Sequence, residues 1–284
     1  MAHFYATLSS MKPRVIPIYS ENNAFQYAET LRRNREKRQK HREFFVEGVR
    51  PINQALKYHW DIRAFLYARE RGLSDWANNI LRESQAITHY ELSAPLLNKL
   101  SNKVEPSELI ALVAMPEDDL ARLPIKQNML IVLFDRPASH GNLGTIIRSC
   151  DALGVDGLII TGHAVDLYDP ETISATTGSF FALPTVRLPS HKALTPWFEG
   201  IKEQIGPFSI VGSSEKAEQD ISTHDFTQPT LLVIGNETWG MSAGYSEICT
   251  VITRIPMYGS ASSLNVASAT SIMLYEIDRQ RRHT

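Results

Sequence analysis

Three segments in the second half of this chain, each at the end of a short apolar run, constrain its fold more than any other feature. They read D-R-P-A-S-H-G-N-L-G-T-I-I-R over 135–148, I-G-N-E-T-W-G-M-S over 234–242, and I-P-M-Y-G-S-A-S-S-L-N over 255–265. Each supplies glycine, a carboxamide and a further polar group. Apolar runs at 129–134, 157–161, 208–212, 230–235 and 251–255 read as buried strands. Helical patterns lie between several of them, which argues for a mostly parallel sheet. Ligands of such sheets bind beyond the carboxyl ends of the strands. The loops there span 135–144, 161–166, 212–216, 235–242 and 256–265. They point to one composite site rather than three unrelated ones.

The 284 residues are enough for two domains. Residues 1–30 read as an irregular arm. The stretch F-F-V-E-G-V-R-P-I-N-Q-A-L then opens a smaller α/β unit over 31–115. It predicts a strand from Phe44, a helix carrying Ile52, Ala55 and Leu56, a strand over 62–68, a helix over 76–83, a helix over 92–100 and a strand over 108–115. Pro116, Glu117, Asp118, Asp119 and Pro124 mark 116–126 as a linker. The larger α/β domain follows over 127–284.

The net charge of -2 does not suggest a nucleic-acid binder, but the distribution says more. Arg32, Arg33, Arg35, Lys37, Arg38, Lys40, Arg42 and Arg50 crowd one stretch, against Glu36, Glu43 and Glu47. Such a run is either a solvated helix face or a phosphate-contacting surface that gains affinity by releasing counterions. No apolar stretch is long enough for a membrane span. The first ten residues lack a signal-peptide pattern. Cys150 and Cys249 offer neither a disulfide framework nor metal spacing, and the histidines do not cluster. A reducing cytoplasm and a metal-free site are expected.

Within the motifs, Asn142 reads as the N-cap of a helix whose apolar face carries Leu143, Ile146, Ile147 and Cys150. Arg148 then points away from that face, free to reach a ligand. Glu237 follows a strand end and could orient a loop, bind a hydroxyl, act as a base or simply start a helix. Trp239 could stack on a base, but cover for the core is the favoured reading. Ser263 and Asn265 either cap a final helix or face a ligand.

These residues together resemble the SpoU/TrmH family of the SPOUT superfamily, which methylates RNA ribose 2′-hydroxyls with S-adenosylmethionine. Asn142, Gly144 and Arg148 match N-x-G-x-x-x-R. Gly235, Asn236, Glu237 and Gly240 match G-N-E-x-x-G. Residues 255–265 match I-P-M-x-G-x-x-x-S-L-N in full. The F-V-E-G stretch looks like the ribosomal-protein-L30-like substrate-binding domain of some members.

The resemblance implies a parallel sheet with a trefoil knot and helices on both faces, and a homodimer through the C-terminal domain. It implies S-adenosylmethionine held by Gly235, Ile255 and Leu264, with Gly212, Ser213, Met257 and Gly259 as further candidates. Arg148, Asn142, Glu237, Ser263 and Asn265 are the implied catalytic set. RNA would be gripped by Arg32, Arg33, Arg35, Lys37, Arg38 and Arg50. Ribosomal RNA of the 23S type is the expected substrate. Transfer RNA and a non-catalytic RNA-binding role are the alternatives. A dinucleotide oxidoreductase is disfavoured, because the glycine fingerprint and its acidic partner are missing.

Overall fold

The computed structural model describes residues 13–282. They divide into two compact units. One runs to Pro116 and takes in Tyr168–Phe181; the other comprises Glu117–Leu167 and the chain from Ala182 onward.

The first unit contains β1 (Arg14–Ile18), α1 (Asn23–Arg33), α2 (Arg35–His41), β2 (Glu43–Glu47), α3 (Val49–Lys57), β3 (Ile62–Tyr67), α4 (Asp75–Glu83), β4 (Thr88–Leu92), α5 (Ala94–Leu100) and β5 (Leu109–Ala114). Its sheet runs β1-β4-β3-β5-β2, with β5 antiparallel to both its neighbours and the remaining pairs parallel. The continuous apolar runs of β2 and β5 suit strands covered on both faces. Phe25, Ala28 and Leu31 of α1 pack with Phe45, Leu66 and Leu112.

An irregular arm through residue 30 is not what forms. β1 pairs in parallel with β4, and Asn22 caps α1 by accepting from the Ala24 and Phe25 amides at 3.1 Å. Pro17 is tolerated because β1 is an edge strand. The part of the expected arm over 1–12 lies outside the described residues. The helix expected from Leu92 begins at Ala94 instead, since Leu92 is the buried end of β4.

Residues 168–181, expected in the larger domain, pack within the first unit. Phe44 lies 4.9 Å from Tyr168, 5.6 Å from Phe180 and 5.9 Å from Trp60 between ring centroids. The Trp60 indole N–H donates to the Phe181 carbonyl at 3.0 Å.

The second unit contains β6 (Leu130–Asp135), α6 (His140–Ala152) and β7 (Gly157–Thr161). The chain then gives α7 (Pro170–Ala175) to the first unit and returns as β8 (Thr185–Leu188), α8 (Thr195–Ile205), β9 (Ser209–Ser213), β10 (Gln219–Asp220), β11 (Thr230–Ile234), α9 (Ala243–Ile248), β12 (Val251–Arg254) and α10 (Val266–Arg281). Seven strands form an all-parallel sheet in the order β10-β12-β9-β11-β6-β7-β8. Ile131, Leu133, Leu231 and Val233 pack with Ile201 of α8 and Tyr245 of α9. Val132, Phe134, Leu232 and Ile234, which point the opposite way, are buried as well. Both faces of the sheet are therefore covered.

The order places the site. From β6 the chain first extends one edge through β7 and β8, then crosses to β9 on the opposite side and later inserts β11 between β9 and β6. That reversal opens a crevice at the carboxyl ends of β6 and β11. The parallel neighbours β12, β9, β11 and β6 deliver their following loops to the same edge of the sheet. Among the described residues, no helix is long and apolar enough to cross a membrane.

Candidate active site

The loops after β6 and β11 are stitched together at the crevice. Asp135, 2 % exposed, ends β6 and accepts from the Ser242 amide at 2.9 Å. Its two oxygens also take Arg136 Nε at 3.0 Å and Nη2 at 2.9 Å. This paired contact holds the Arg136 guanidinium above its ordinary pKa. Arg136 sits at φ 53°, a left-handed position that costs a side-chain-bearing residue about 1 kcal/mol or more. The fork to Asp135 and a further contact from Nη2 to the Gly240 carbonyl at 3.3 Å offset that strain. Asn236 returns the tie by donating from Nδ2 to the Arg136 carbonyl at 2.7 Å.

Above this lies a directional chain of side chains. The Asn265 Oδ1 accepts from the amides of Ala267 at 3.0 Å and Ser268 at 3.2 Å, capping α10. Its Nδ2 is therefore the free donor, and it reaches Asn142 Oδ1 at 3.1 Å. Asn142 in turn donates from Nδ2 to Glu237 Oε1 at 3.2 Å. Glu237 also accepts from the amides of Ala138 at 2.9 Å and Ser139 at 3.1 Å. Backbone amides at one end and a carboxylate at the other leave only this orientation for both carboxamides.

Beside the chain is a cavity of about 800 Å³. Its apolar wall is Ile234, Ile255, Leu264 and Met273, and its polar rim includes Ser213, Lys216 and Glu237. Gly235 closes one side with no room for a side chain: a Cβ there would sit 2.3 Å from the backbone of Gly240 and Met241. The size and the mixture of apolar wall with few polar groups suit a cofactor-sized organic molecule.

Comparison with known proteins agrees with this geometry. Residues 129–275 match the SpoU rRNA Methylase family, and residues 22–111 match the SpoU L30e-like domain. The chain belongs to the SpoU rRNA methylase family. A 23S rRNA (uridine(2479)-2′-O)-methyltransferase of Streptomyces viridochromogenes is 47% identical over 270 residues, covering 95% of this chain and 94% of that one. The crystal structure of the SpoU methyltransferase AviRb from the same organism, in complex with the cofactor AdoMet, aligns with a TM-score of 0.88. It is 47% identical and the alignment covers 92% of this chain and 98% of that one. The Bacillus subtilis 23S rRNA (guanosine(2553)-2′-O)-methyltransferase RlmP is 29% identical, over 86% of this chain and 91% of its own.

The SpoU motif residues fall into place unevenly. Asn142, Glu237 and Asn265 are joined directly. Arg148 lies on α6, exposed, with no hydrogen bond or ion pair among the described residues. Ser263 lines the cavity but is exposed and does not cap α10. Asn142 is not the N-cap of α6: Ser139 is, and it accepts from the Asn142 amide at 3.3 Å. Of the expected cofactor residues, Gly235, Ile255, Leu264, Ser213 and Met257 line the cavity. Gly212 lies behind the wall, where a Cβ would meet Met241 at 2.7 Å, and Gly259 stands on the exposed loop outside it.

In the basic run, Arg33, Arg35, Lys37 and Arg50 are exposed. Arg38 is not a surface cation: it is 1 % exposed and bonds the Leu31 and Arg32 carbonyls and Asp169 Oδ2, the last at 2.8 Å. Arg32 is half-buried and donates to the Leu100 and Ser101 carbonyls. Both are structural residues, fixed in part by groups distant in sequence: Asp169 for Arg38, and the Leu100 and Ser101 carbonyls for Arg32. Sequence reasoning missed Asp135, Arg136 and the tie made by Asn236. An acid at the end of a buried strand was the one available signal. Trp239, read as core cover, is 79 % exposed.

Proposed function

We propose that this chain methylates a ribose 2′-hydroxyl of 23S-type ribosomal RNA, using S-adenosylmethionine held in the cavity between the loops after β9, β11 and β12. The observation that carries the reading is the Asn265–Asn142–Glu237 chain. It locks the first, second and third motifs into one polar edge beside a cofactor-sized cavity. A uridine target is favoured by the Streptomyces viridochromogenes relative, which acts on one.

The residues present fit the cofactor. Ile234, Ile255, Leu264 and Met273 would offer an apolar wall for its adenine and for the carbons flanking its sulfonium, and Gly235 lets backbone come close. When bound, S-adenosylmethionine supplies an electrophilic methyl group carried on a sulfonium. The chain's own residues must align a ribose oxygen with it, and alignment of this kind supplies much of the rate. Arg148 stabilises the oxygen as its proton leaves to solvent and grips the neighbouring phosphate. A guanidinium holds its charge and is poorly suited to act as the base. Glu237 fixes the loop after β6 through the Ala138 and Ser139 amides and orients Asn142, leaving the Asn142–Asn265 pair to position the nucleotide.

A homodimer through the C-terminal domain completes the proposal. It is supported by α10, which leaves Ile272 and Tyr275 exposed, and by Arg148, Asn142 and Asn265, which do not line the cavity of their own chain. A trefoil knot belongs to the same reading, supported by the insertion of β11 between β6 and β9; an experimental backbone trace through 213–265 tests it. The proposed compartment is the cytoplasm, consistent with two unpaired cysteines, one of them buried. The first experiment is transfer of radiolabelled methyl to separated unmodified ribosomal and transfer RNA. Label in the ribosomal pool, resistant to alkaline cleavage at one ribose, is the expected result. Label only in transfer RNA, or a chain that binds neither cofactor nor RNA, would overturn it. Sedimentation at micromolar concentration tests the dimer.

A further inference from the structure

One large side chain at the site has no task in the chemistry above. Trp239 sits in the turn between Asn236 and Gly240 and lines the cavity, yet its surface is 79 % exposed. Tryptophan is normally highly buried, and leaving so much apolar surface in water is unfavourable. Among the described residues, no other ring and no cation packs on its indole.

The turn that carries it is held firmly. The Asn236 amide donates to the Gly240 carbonyl and the Gly240 amide to the Asn236 carbonyl, both at 3.0 Å. Asn236 Oδ1 accepts from the amides of Thr238 at 2.9 Å and Trp239 at 3.0 Å. Two residues before Trp239, Glu237 is anchored to the loop after β6. The indole thus projects from a fixed backbone, so a ligand that stacks on it orders little of the protein. The charge around it is mixed: Glu237, Glu215 and Glu218 line the same cavity, together with Lys216 and Arg254.

We propose that Trp239 is the stacking platform for an unpaired base of the RNA substrate, at or next to the nucleotide whose ribose is methylated. The inference rests on the RNA methyltransferase reading and adds a substrate-positioning residue to it. Single-stranded bases are recognised by stacking on aromatic side chains, and every base offers a face for it.

The test compares wild type, Trp239→Ala and Trp239→Phe on an unmodified 23S rRNA transcript, with cofactor affinity and sedimentation measured for each. Trp239→Ala should raise KM and the RNA Kd about tenfold, with kcat changed less and cofactor affinity and assembly state unchanged. Trp239→Phe should recover most of the loss. The emission that wild type has over Trp239→Phe should be quenched by RNA. Unchanged RNA affinity in Trp239→Ala would overturn the inference. So would an equal loss of cofactor affinity, which would make the indole a cofactor wall, or a shift in sedimentation, which would make it a contact between copies. Wild type that methylates the transcript while Trp239→Ala behaves identically defeats this inference alone. Wild type that binds cofactor but methylates no RNA defeats the functional reading with it.

Discussion

Asn265 donates to Asn142 across 123 positions of sequence, at 3.1 Å, and that bond joins the cap of α10 to the first turn of α6. Because Asn265 Oδ1 is committed to backbone amides, the donor and acceptor ends of the whole chain to Glu237 are fixed. Replacing Glu237 with Gln keeps the shape but puts an NH2 group in place of one of the two oxygens that share three donors, so at least the Ala138 amide is left facing a donor. Glu237→Gln should therefore lower kcat/KM at least tenfold and cost about 1–3 kcal/mol of stability. Steady-state kinetics and urea unfolding measure both; an unchanged kcat would remove Glu237 from the site.

The role proposed for Arg148 calls for its planar fork more than its charge. Arg148→Ala should lower kcat by about 100-fold or more. Arg148→Lys should recover little, because an ammonium does not reproduce bidentate contacts. Calorimetry should find cofactor affinity intact in both. A fully active lysine variant would reduce the role to simple charge.

Gly235 tests the cavity wall. With a Cβ 2.3 Å from the backbone of Gly240 and Met241, Gly235→Ala must displace the second motif. The expected cost is about 1–3 kcal/mol in stability, with cofactor affinity lost beyond what the stability change explains. Thermal unfolding with and without cofactor separates the two effects.

Arg38 and its exposed neighbours should behave in opposite ways. Arg38→Ala leaves Asp169 without its buried partner and should destabilise by on the order of 3 kcal/mol, less for the part of Asp169 that solvent reaches. Arg33→Glu with Lys37→Glu should leave stability within about 0.5 kcal/mol while weakening RNA binding and flattening its salt dependence. Unfolding curves and binding at two salt concentrations distinguish them.

Burial lowers the pKa of His89 below its ordinary 6.5, and among the described residues its Nε2 has no hydrogen-bond partner. The unfolded imidazole takes its proton first as pH falls. Stability from neutral His89 is thus fully present above about 6.5 and is lost as pH drops through the lower folded value. The urea midpoint should decline on that side, and His89→Phe should flatten the decline. An unaltered slope would assign the loss elsewhere, His224 being a second histidine lowered by burial among the described residues.

What could be read in the sequence followed physical contrast. Strands β6, β7, β9, β11 and β12 are short apolar runs between polar segments, and all five were legible within a residue or two. The motif loops were legible because three matches coincided. β4, with the sequence T-H-Y-E-L, and the four-residue β8 lack that contrast. Arg38 sits in a cluster of like charges, and its partners, among them Asp169 131 positions away, set it apart. Nothing local told Trp239 from a core residue. Its exposure follows from the turn that Asn236 closes, which a linear reading does not contain.

The excursion of residues 168–181 changes what counts as a separable piece. The chain passes between the two units at three places, after Pro116, Leu167 and Phe181, instead of at one linker. A fragment cut at residue 116 would carry Tyr168, Phe180 and Phe181 away from Phe44 and Trp60, leaving greasy surface on one product and a gap in the other. Recombination at the linker would fail for the same reason. Grafting the N-terminal unit onto another methyltransferase requires carrying the fourteen residues 168–181 of this chain into the recipient's second half along with it.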